Sequence, residues 1–189
     1  MFFLLLAFAV HGQKFHGGIN AGLMGTQVTG DKRTGFNKAG LKAGFFVNLP
    51  FSARSSVQME LNFIEKGSRS HDSKTGNTYV MRAGYVELPV LYRYHWEKYK
   101  FSLEAGLSLA TLIYSSELYN DIPVNGPSFH RFDYSWAAGI YYPLRENLEL
   151  NIRYSYSLLA MRPFYANQTA WRIKGQYHEV LGLSLYYRF

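Results

Sequence analysis

The chain has 189 residues, the size of one domain, and its lack of cysteine excludes disulfides, thiolate-bound metal and a catalytic thiol. Its formal net charge is +7, but Lys and Arg are scattered along the sequence, so composition does not favour nucleic acid as a partner. The 16 Tyr, 14 Phe and 17 Gly favour strands and tight turns over helices.

The first predicted element is an export signal over residues 1–13, an apolar stretch too short to cross a membrane as a helix. Val10 and Gly12 are small enough to flank a cleavage site before Gln13, and residues 14–189 are the predicted barrel domain. Because no Lys or Arg precedes the apolar run, a misassigned start codon and a truncated chain both stay open. A buried first strand is the alternative to a signal peptide.

Apolar residues then recur with a period of two through nearly all of the mature chain, which is the signature of β-strands. Leu150 and Ile152, for example, alternate with Asn151 and Arg153. Each apolar run is long enough for a tilted strand that crosses a membrane. We predict eight strands, over residues 15–28, 39–49, 56–66, 78–94, 99–113, 132–142, 148–160 and 177–189.

The connectors between these strands alternate between short and long. The short ones are Pro50–Ser55, His95–Lys98 and Pro143–Asn147, and the long polar ones are Thr29–Lys38, Gly67–Asn77, Ser115–Arg131 and Met161–Gln176. Outer-membrane barrels have short periplasmic turns and long extracellular loops. The sequence therefore predicts an all-β fold, an eight-stranded antiparallel up-and-down transmembrane β-barrel. The loops around Ser70, Asn125 and Asn167 are expected at the cell surface.

The apolar face of each strand is predicted to face lipid. The other face is rich in Gly, Ser, Asn and charged residues, which fit the narrow interior of a small barrel better than stacked aromatic rings. Tyr92, Trp96 and Tyr99 crowd one short turn, as in an interfacial aromatic girdle. A soluble barrel with its apolar residues inside is the alternative. The strand pattern and the export signal together favour the outer membrane as the location.

The last predicted strand ends with Tyr187 and Phe189 on its apolar face. A terminal aromatic residue in this setting resembles the signal that barrel-assembly machinery reads in outer-membrane proteins. The two residues are therefore the predicted assembly signal. An ordinary C-terminal strand that ends in Phe is the alternative.

Four segments resemble one family of barrels, and the last of them is the closing Leu-Ser-Leu-Tyr-Tyr-Arg-Phe at residues 183–189. The glycine-rich segment 17–22 is similar to the first strand of that family. Its Tyr-Leu-Glu-Ile-Pro-Leu segment is similar to Tyr85-Val86-Glu87-Leu88-Pro89-Val90-Leu91 in this chain. Residues 102–106 are similar to the strand that follows. The chain thus resembles the small outer-membrane β-barrel family of Bacteroidota, often labelled PorT-like or porin-family. This resemblance implies a barrel and an outer membrane, and one member type serves type IX secretion.

Five charged residues are predicted to face the lumen at similar heights. They are Lys42, Glu60, Glu87, Glu104 and Arg153. Charges enclosed in a narrow lumen must pair to offset the cost of desolvation, so we expect a Glu-Arg-Lys network that fills the barrel. The alternative is a gate whose ion pairs exchange to pass ions. Pro89 also faces inward and is expected to mark a bulge, because it lacks a backbone donor.

No catalytic motif, cofactor motif or metal-ligand pair is found in the sequence. Ser128, His130 and Asp133 could be arranged as a hydrolase set, but ordinary loop roles explain them better, so no enzyme is predicted. The leading hypothesis is a structural or interaction barrel that acts through its loops. A narrow channel or solute-binding porin is the second, and an accessory subunit of a secretion or assembly complex is the third.

The expected partners are outer-membrane lipid, lipopolysaccharide and the barrel-assembly machinery, with no nucleic acid and no known protein partner. Loop cations could contact lipid phosphates, and simple solvation of these charges is the alternative. The candidate cations are Lys32, Arg33, Arg69, Lys74, Arg131, Arg162, Arg172 and Lys174.

Overall fold

A computed structural model describes residues 15–30, 35–71, 76–124, 126, 128–163 and 175–189. The predicted export signal lies outside these ranges, as do Asn125 and Asn167. Within them, no helix is long and apolar enough to cross a membrane.

Eight long antiparallel strands form a closed barrel. Each strand pairs with the next along the chain, and the last pairs with the first, so the predicted eight-stranded up-and-down topology is confirmed. The long strands are β1 (His16–Thr29), β2 (Lys38–Pro50), β3 (Ser55–His71), β4 (Thr78–Trp96), β5 (Phe101–Tyr119), β7 (Phe132–Arg145), β8 (Leu148–Ser157) and β9 (Tyr177–Arg188). A two-residue strand, β6 (Ile122–Pro123), pairs only with the end of β5.

The two faces of each strand differ as the alternation predicts. On β2, Leu41 and Phe45 are exposed on the outside, whereas Lys42 and Phe46 are buried in the lumen. Side chains on a strand point alternately to opposite faces, so one register places most apolar residues of a strand outside. The outside is therefore an apolar wall, and the inside is mainly polar with some apolar side chains such as Met24, Ile64 and Val180 among the polar ones.

The barrel has two unlike ends. At one end, which we call the turn end, the connectors are residues 51–54, 97–100 and 146–147, and residues 97–99 form a single 3-10 turn. At the other, the loop end, the connectors are residues 30–37, 72–77, 120–131 and 158–176. Short and long connectors thus alternate as predicted.

Strands β3 and β5 continue further toward the loop end than the predicted limits at residues 66 and 113. The extension of β5 closes on β6 through Asn120 and Asp121, whose φ angles are 49° and 62°. Two consecutive positive φ angles are the geometry of a type I′ hairpin turn, which Asn and Asp tolerate. Part of the predicted Ser115–Arg131 loop is therefore an ordered hairpin.

The prediction of a bulge at Pro89 is wrong. The pairing of β3 with β4 is interrupted between Met59 and Asn62, opposite Pro89, but its register does not change there. The register shift lies instead between Gly84 and Tyr85, on the β5 side of β4. Proline removes one donor from the ladder, and this loss does not require an extra residue.

Candidate functional site

A cluster of charged side chains lies in the middle of the lumen. We call it the central cluster, and its charged members are Lys42 on β2, Glu60 on β3, Glu104 on β5 and Arg153 on β8. All four residues are buried. Four of the five residues predicted for the lumen network are thus brought together here.

Arg153 connects the two carboxylates of the central cluster. Its Nε and Nη2 donate to the two oxygens of Glu104 over 2.7 and 2.8 Å. Its Nη1 and Nη2 donate to the two oxygens of Glu60 over 2.9 and 2.8 Å. The planar guanidinium suits such paired contacts because its N–H groups form a rigid fork.

Glu60 accepts more hydrogen bonds than Arg153 alone supplies. Lys42 donates from Nζ over 3.2 Å, and Gln58 and Asn62 donate from their amides over 2.7 and 2.8 Å. The hydroxyl of Tyr186 on β9 donates over 3.1 Å. A buried carboxylate needs such donors to replace its lost hydration.

The central cluster reaches across the whole lumen. Together with Tyr141 on β7, which donates to Glu60 over 3.4 Å, its members come from six of the eight long strands. Tyr141 and Tyr186 stack edge to face, with ring centroids 5.0 Å apart. At this level the interior is filled by side chains that bind one another.

A second group, the upper cluster, lies nearer the loop end. Lys66 donates from Nζ to Glu87 over 3.2 Å and to Asp133 over 2.9 Å, and Ser108 donates to Glu87 over 3.0 Å. Glu87 therefore binds Lys66 and not the cations of the central cluster, with which the predicted network placed it. Lys66 was not among the predicted lumen residues, although alternation from Glu60 through Ile64 points it inward.

The structure does not bring Asp133 together with Ser128 and His130, the other two residues of the hydrolase set. Its side chain is buried in the lumen and bound to Lys66, whereas Ser128 and His130 are exposed on the preceding connector.

The cavity between the central and upper clusters has a volume of about 20 Å³ and is bordered by Lys42, Glu87 and Arg153. Such a volume holds about one water molecule.

Gly139 makes room for the contact between Glu104 and Arg153. It lies on β7 directly between them, paired with Glu104 on one side and Arg153 on the other. A Cβ at this position would be 2.5 Å from Glu104 Oε1 and 2.6 Å from the Ile152 carbonyl oxygen. The two long side chains can therefore meet only because the middle strand has no side chain there.

An ion pair also lies at each end of the lumen. At the turn end, Arg93 binds Glu149 over 2.9 Å and stacks over the Tyr141 ring at 3.7 Å. At the loop end, Arg162 binds Glu117 and donates to Gln176 over 2.6 Å. Arg162 was a candidate for contact with lipid phosphates, and this is wrong because its side chain is buried in the mouth of the barrel.

The sequence and fold have known relatives. The profile of the family described as "Outer membrane protein beta-barrel domain" matches residues 11–161. The chain belongs to this family. No curated protein matches the chain significantly.

Several solved outer-membrane barrels share the fold. Ail, the attachment invasion locus protein of Yersinia pestis, is 14% identical with a TM-score of 0.54, and the match covers 93% of this chain and 99% of Ail. Neisserial surface protein A is 10% identical with a TM-score of 0.57, covering 93% and 97%. A major outer membrane protein of Thermus thermophilus is 14% identical with a TM-score of 0.55, covering 93% and 100%. At such low identities, these TM-scores show a common fold and nothing more.

The outer wall of this outer-membrane barrel is suited to lipid. Outward residues such as Leu61, Leu107 and Leu183 are exposed and form an apolar band. At the turn end, Trp96 packs against Tyr99 and Phe101 with ring centroids 5.8 Å away, which gives the girdle expected at a membrane interface. The protein is therefore located in the outer membrane.

The remaining predicted residues have simple positions. Tyr187 and Phe189 are exposed on the outer face at the turn end, with ring centroids 6.1 Å apart. Arg69 and Arg131 are exposed near the loop end. The other predicted loop cations lie outside the described residues: Lys32, Arg33, Lys74, Arg172 and Lys174.

Proposed function

We propose that this protein is a non-conducting, non-enzymatic barrel that acts as a membrane scaffold and presents its loop-end connectors to partners outside the cell. The observation that carries this proposal is the closure of the lumen by the central cluster. Arg153 bridges Glu60 and Glu104 there, and six strands contribute side chains at that level.

Opening the lumen to ions would cost free energy. A passage for ions would have to separate Arg153 from at least one carboxylate in a nearly dry interior. Breaking a buried ion pair leaves uncompensated charge, which costs about 3–5 kcal/mol. A spontaneously open state would then be rare, and the long connectors become the parts available for interaction.

Planar-bilayer recording tests this proposal. The purified, refolded protein should give no unitary current steps at neutral pH. A double variant, Glu60→Ala with Arg153→Ala, removes the ion pair at the middle of the central cluster and should give small current steps, which would show that the assay detects an open lumen. Steps of equal size from the wild-type protein would overturn the proposal.

The second candidate is a narrow channel or solute-binding porin. One feature favours it: Glu60 contacts both Lys42 and Arg153, so it could keep one partner while releasing the other. Exchange between the two cations would lower the cost of opening. Wild-type conductance that is lost in Lys42→Met would support this gate.

The third candidate is an accessory subunit of a secretion or assembly complex, within the PorT-like barrels of Bacteroidota. It rests on the resemblance of residues 85–91 to those proteins. Crosslinking in native membranes followed by affinity capture of the barrel tests it. A stoichiometric partner with a periplasmic or membrane domain would favour this role, and recovery of the barrel alone would count against it.

Two processing signals belong to the same proposal. The apolar segment before Gln13 would direct export and be removed, so the mass of the mature protein should correspond to a start at Gln13. Tyr187 and Phe189 would be read during assembly. Phe189→Ala should reduce the membrane-inserted fraction in cells, while the same variant should still refold in detergent.

A further inference from the structure

The outer wall formed by β3, β4 and β5 changes character in steps toward the loop end. Paired residues on the three strands form rows that can be read directly from the register. From the membrane outward, the rows are Phe63–Val86–Thr111, Glu65–Gly84–Tyr114, Gly67–Arg82–Ser116 and Arg69–Val80–Leu118. An apolar row is thus followed by an aromatic row and then by two rows that each carry one arginine.

The aromatic row is fixed by contacts on the wall. The Tyr114 ring lies across Gly84, where a Cβ would be only 2.2 Å from the ring. Its hydroxyl donates to Glu65 Oε1 over 2.7 Å, and its ring stacks on Phe63 with centroids 6.5 Å apart. The flat ring is therefore held against the wall directly below Arg82.

Arg82 has the height of a lipid headgroup. It lies ten residues along β4 from Tyr92 at the turn-end girdle. A tilted strand rises about 25 Å over that length, which is close to the height of the apolar band of outer-membrane barrels. Arg69 lies one row higher. Both arginines are exposed, and neither has a hydrogen bond or ion pair with another described residue.

The opposite wall carries a carboxylate on its outer face. Strand β9 is separated from β4 by three strands on either side and carries Glu179 on its outer face. Tyr154 donates to Glu179 over 2.8 Å, Thr29 donates over 3.2 Å, and Gln27 also donates to it. This wall therefore presents a carboxylate with neutral donors, whereas the β3–β4–β5 wall presents two guanidinium groups.

We infer that the β3–β4–β5 wall binds the headgroup of a phosphorylated glycolipid of the outer leaflet. Arg82 and Arg69 would bind its phosphate through paired N–H groups, which match phosphate oxygens. The Tyr114 ring would support a sugar, and the apolar row below would pack against the acyl chains. This inference goes beyond the proposed scaffold role and does not depend on whether the lumen conducts.

Native mass spectrometry of the refolded barrel in non-ionic detergent tests the inference, with synthetic bisphosphorylated lipid A as probe. A basic residue near a charged membrane surface contributes about 1 kcal/mol, so Arg82→Gln and Arg69→Gln should each weaken binding about fivefold. Ser116→Arg adds a cation beside Arg82 and should strengthen binding by about the same factor. This gain cannot result from misfolding.

Arg145→Gln is the matched control, because Arg145 is an exposed arginine at the turn end. It should leave binding unchanged, dephosphorylated lipid A should bind weakly to every variant, and excess inorganic phosphate should not displace the bound lipid. Equal losses in Arg145→Gln and Arg82→Gln would overturn the inference in favour of a net-charge effect. Displacement by free phosphate, or binding that Arg82→Gln and Ser116→Arg leave unchanged, would also overturn it.

Discussion

Arg153 is the residue on which the central cluster depends most, because it is the cation that contacts both Glu60 and Glu104. Replacing it with Met keeps much of the volume but removes the charge and every donor. Glu104 then loses its ion-pair partner, and Glu60 keeps only Lys42. We expect Arg153→Met to lower the free energy of unfolding by about 3–5 kcal/mol. Urea unfolding in lipid vesicles, followed by tryptophan fluorescence, measures this loss.

Arg54→Met is the control for that variant. Arg54 binds Glu97 over 3.1 Å at the turn end, where both side chains are more than half exposed. Hydrogen bonds from Arg54 lower the pKa of the Glu97 carboxyl, but exposed pairs contribute little to stability. This control should unfold at the same urea concentration as the wild type. Equal effects of the two variants would contradict the structural role of the central cluster.

Gly139 allows a second test at the residue scale. The Cβ of Gly139→Ala would crowd both Glu104 Oε1 and the Ile152 carbonyl oxygen, and the backbone atom cannot rotate away. Overpacking of this kind costs about 1–3 kcal/mol. Gly17→Ala is the matched control, since the nearest atom to its Cβ is 3.9 Å away. Heat-modifiable gel mobility compares the two, and equal melting of both variants would mean that Glu104 can move aside freely.

Residue positions in the lumen could be predicted from alternation, but ion-pair partners could not. Glu87 and Arg153 lie on β4 and β8, which are not neighbours, so their relative height depends on the stagger of the whole barrel. A count of residues from the turn end places Glu87 and Arg153 at similar heights. The structure instead pairs Glu87 with Lys66 of the neighbouring strand β3.

At the scale of the strand, β5 provides two outward positions at different depths. Leu107 lies in the apolar band and is 61% exposed, whereas Ser116 lies near the loop end. An arginine on the lipid face costs about 2–4 kcal/mol at mid-membrane and about 0–1 kcal/mol near the interface. Leu107→Arg should therefore destabilise the barrel in vesicles much more than Ser116→Arg. Similar costs at both depths would contradict the assignment of this face to lipid.

The ends of the strands show where sequence patterns stop being informative. Inside the membrane, apolar and polar residues alternate because one face meets lipid, and the predicted strands match there. Beyond the apolar band the outer face of β3 and β5 no longer meets lipid tails, so Gly67–His71 and Ser115–Tyr119 have the composition of a loop. Backbone pairing with β4 continues nevertheless, because ladder hydrogen bonds do not depend on side-chain polarity.

Buried loop residues were beyond prediction for a related reason. Arg162 follows Met161 on the connector after β8, and its neighbours in the sequence are those of a surface cation. Its burial depends on Glu117 from β5 and Gln176 from the approach to β9, which only the closed barrel brings together. Contacts of this kind follow from the three-dimensional arrangement of connectors and leave no periodic signal in the sequence.

At the scale of the whole molecule, the two ends of the barrel lead to a prediction of orientation. The four-residue and two-residue connectors lie at the turn end, and the much longer ones lie at the loop end. In outer-membrane barrels the short turns face the periplasm. The arginines of the β3–β4–β5 wall would then lie in the outer leaflet, where phosphorylated glycolipid is found.

Cysteine labelling in intact cells tests this orientation, and the absence of native cysteine keeps its background low. Ser70→Cys and Ser128→Cys at the loop end should react with a membrane-impermeant maleimide, because these connectors would face the medium. Arg54→Cys and Glu146→Cys at the turn end should react only after the outer membrane is permeabilised. The reverse labelling pattern would mean that the barrel has the opposite orientation. Arg82 and Arg69 would then lie in the leaflet that lacks their proposed ligand.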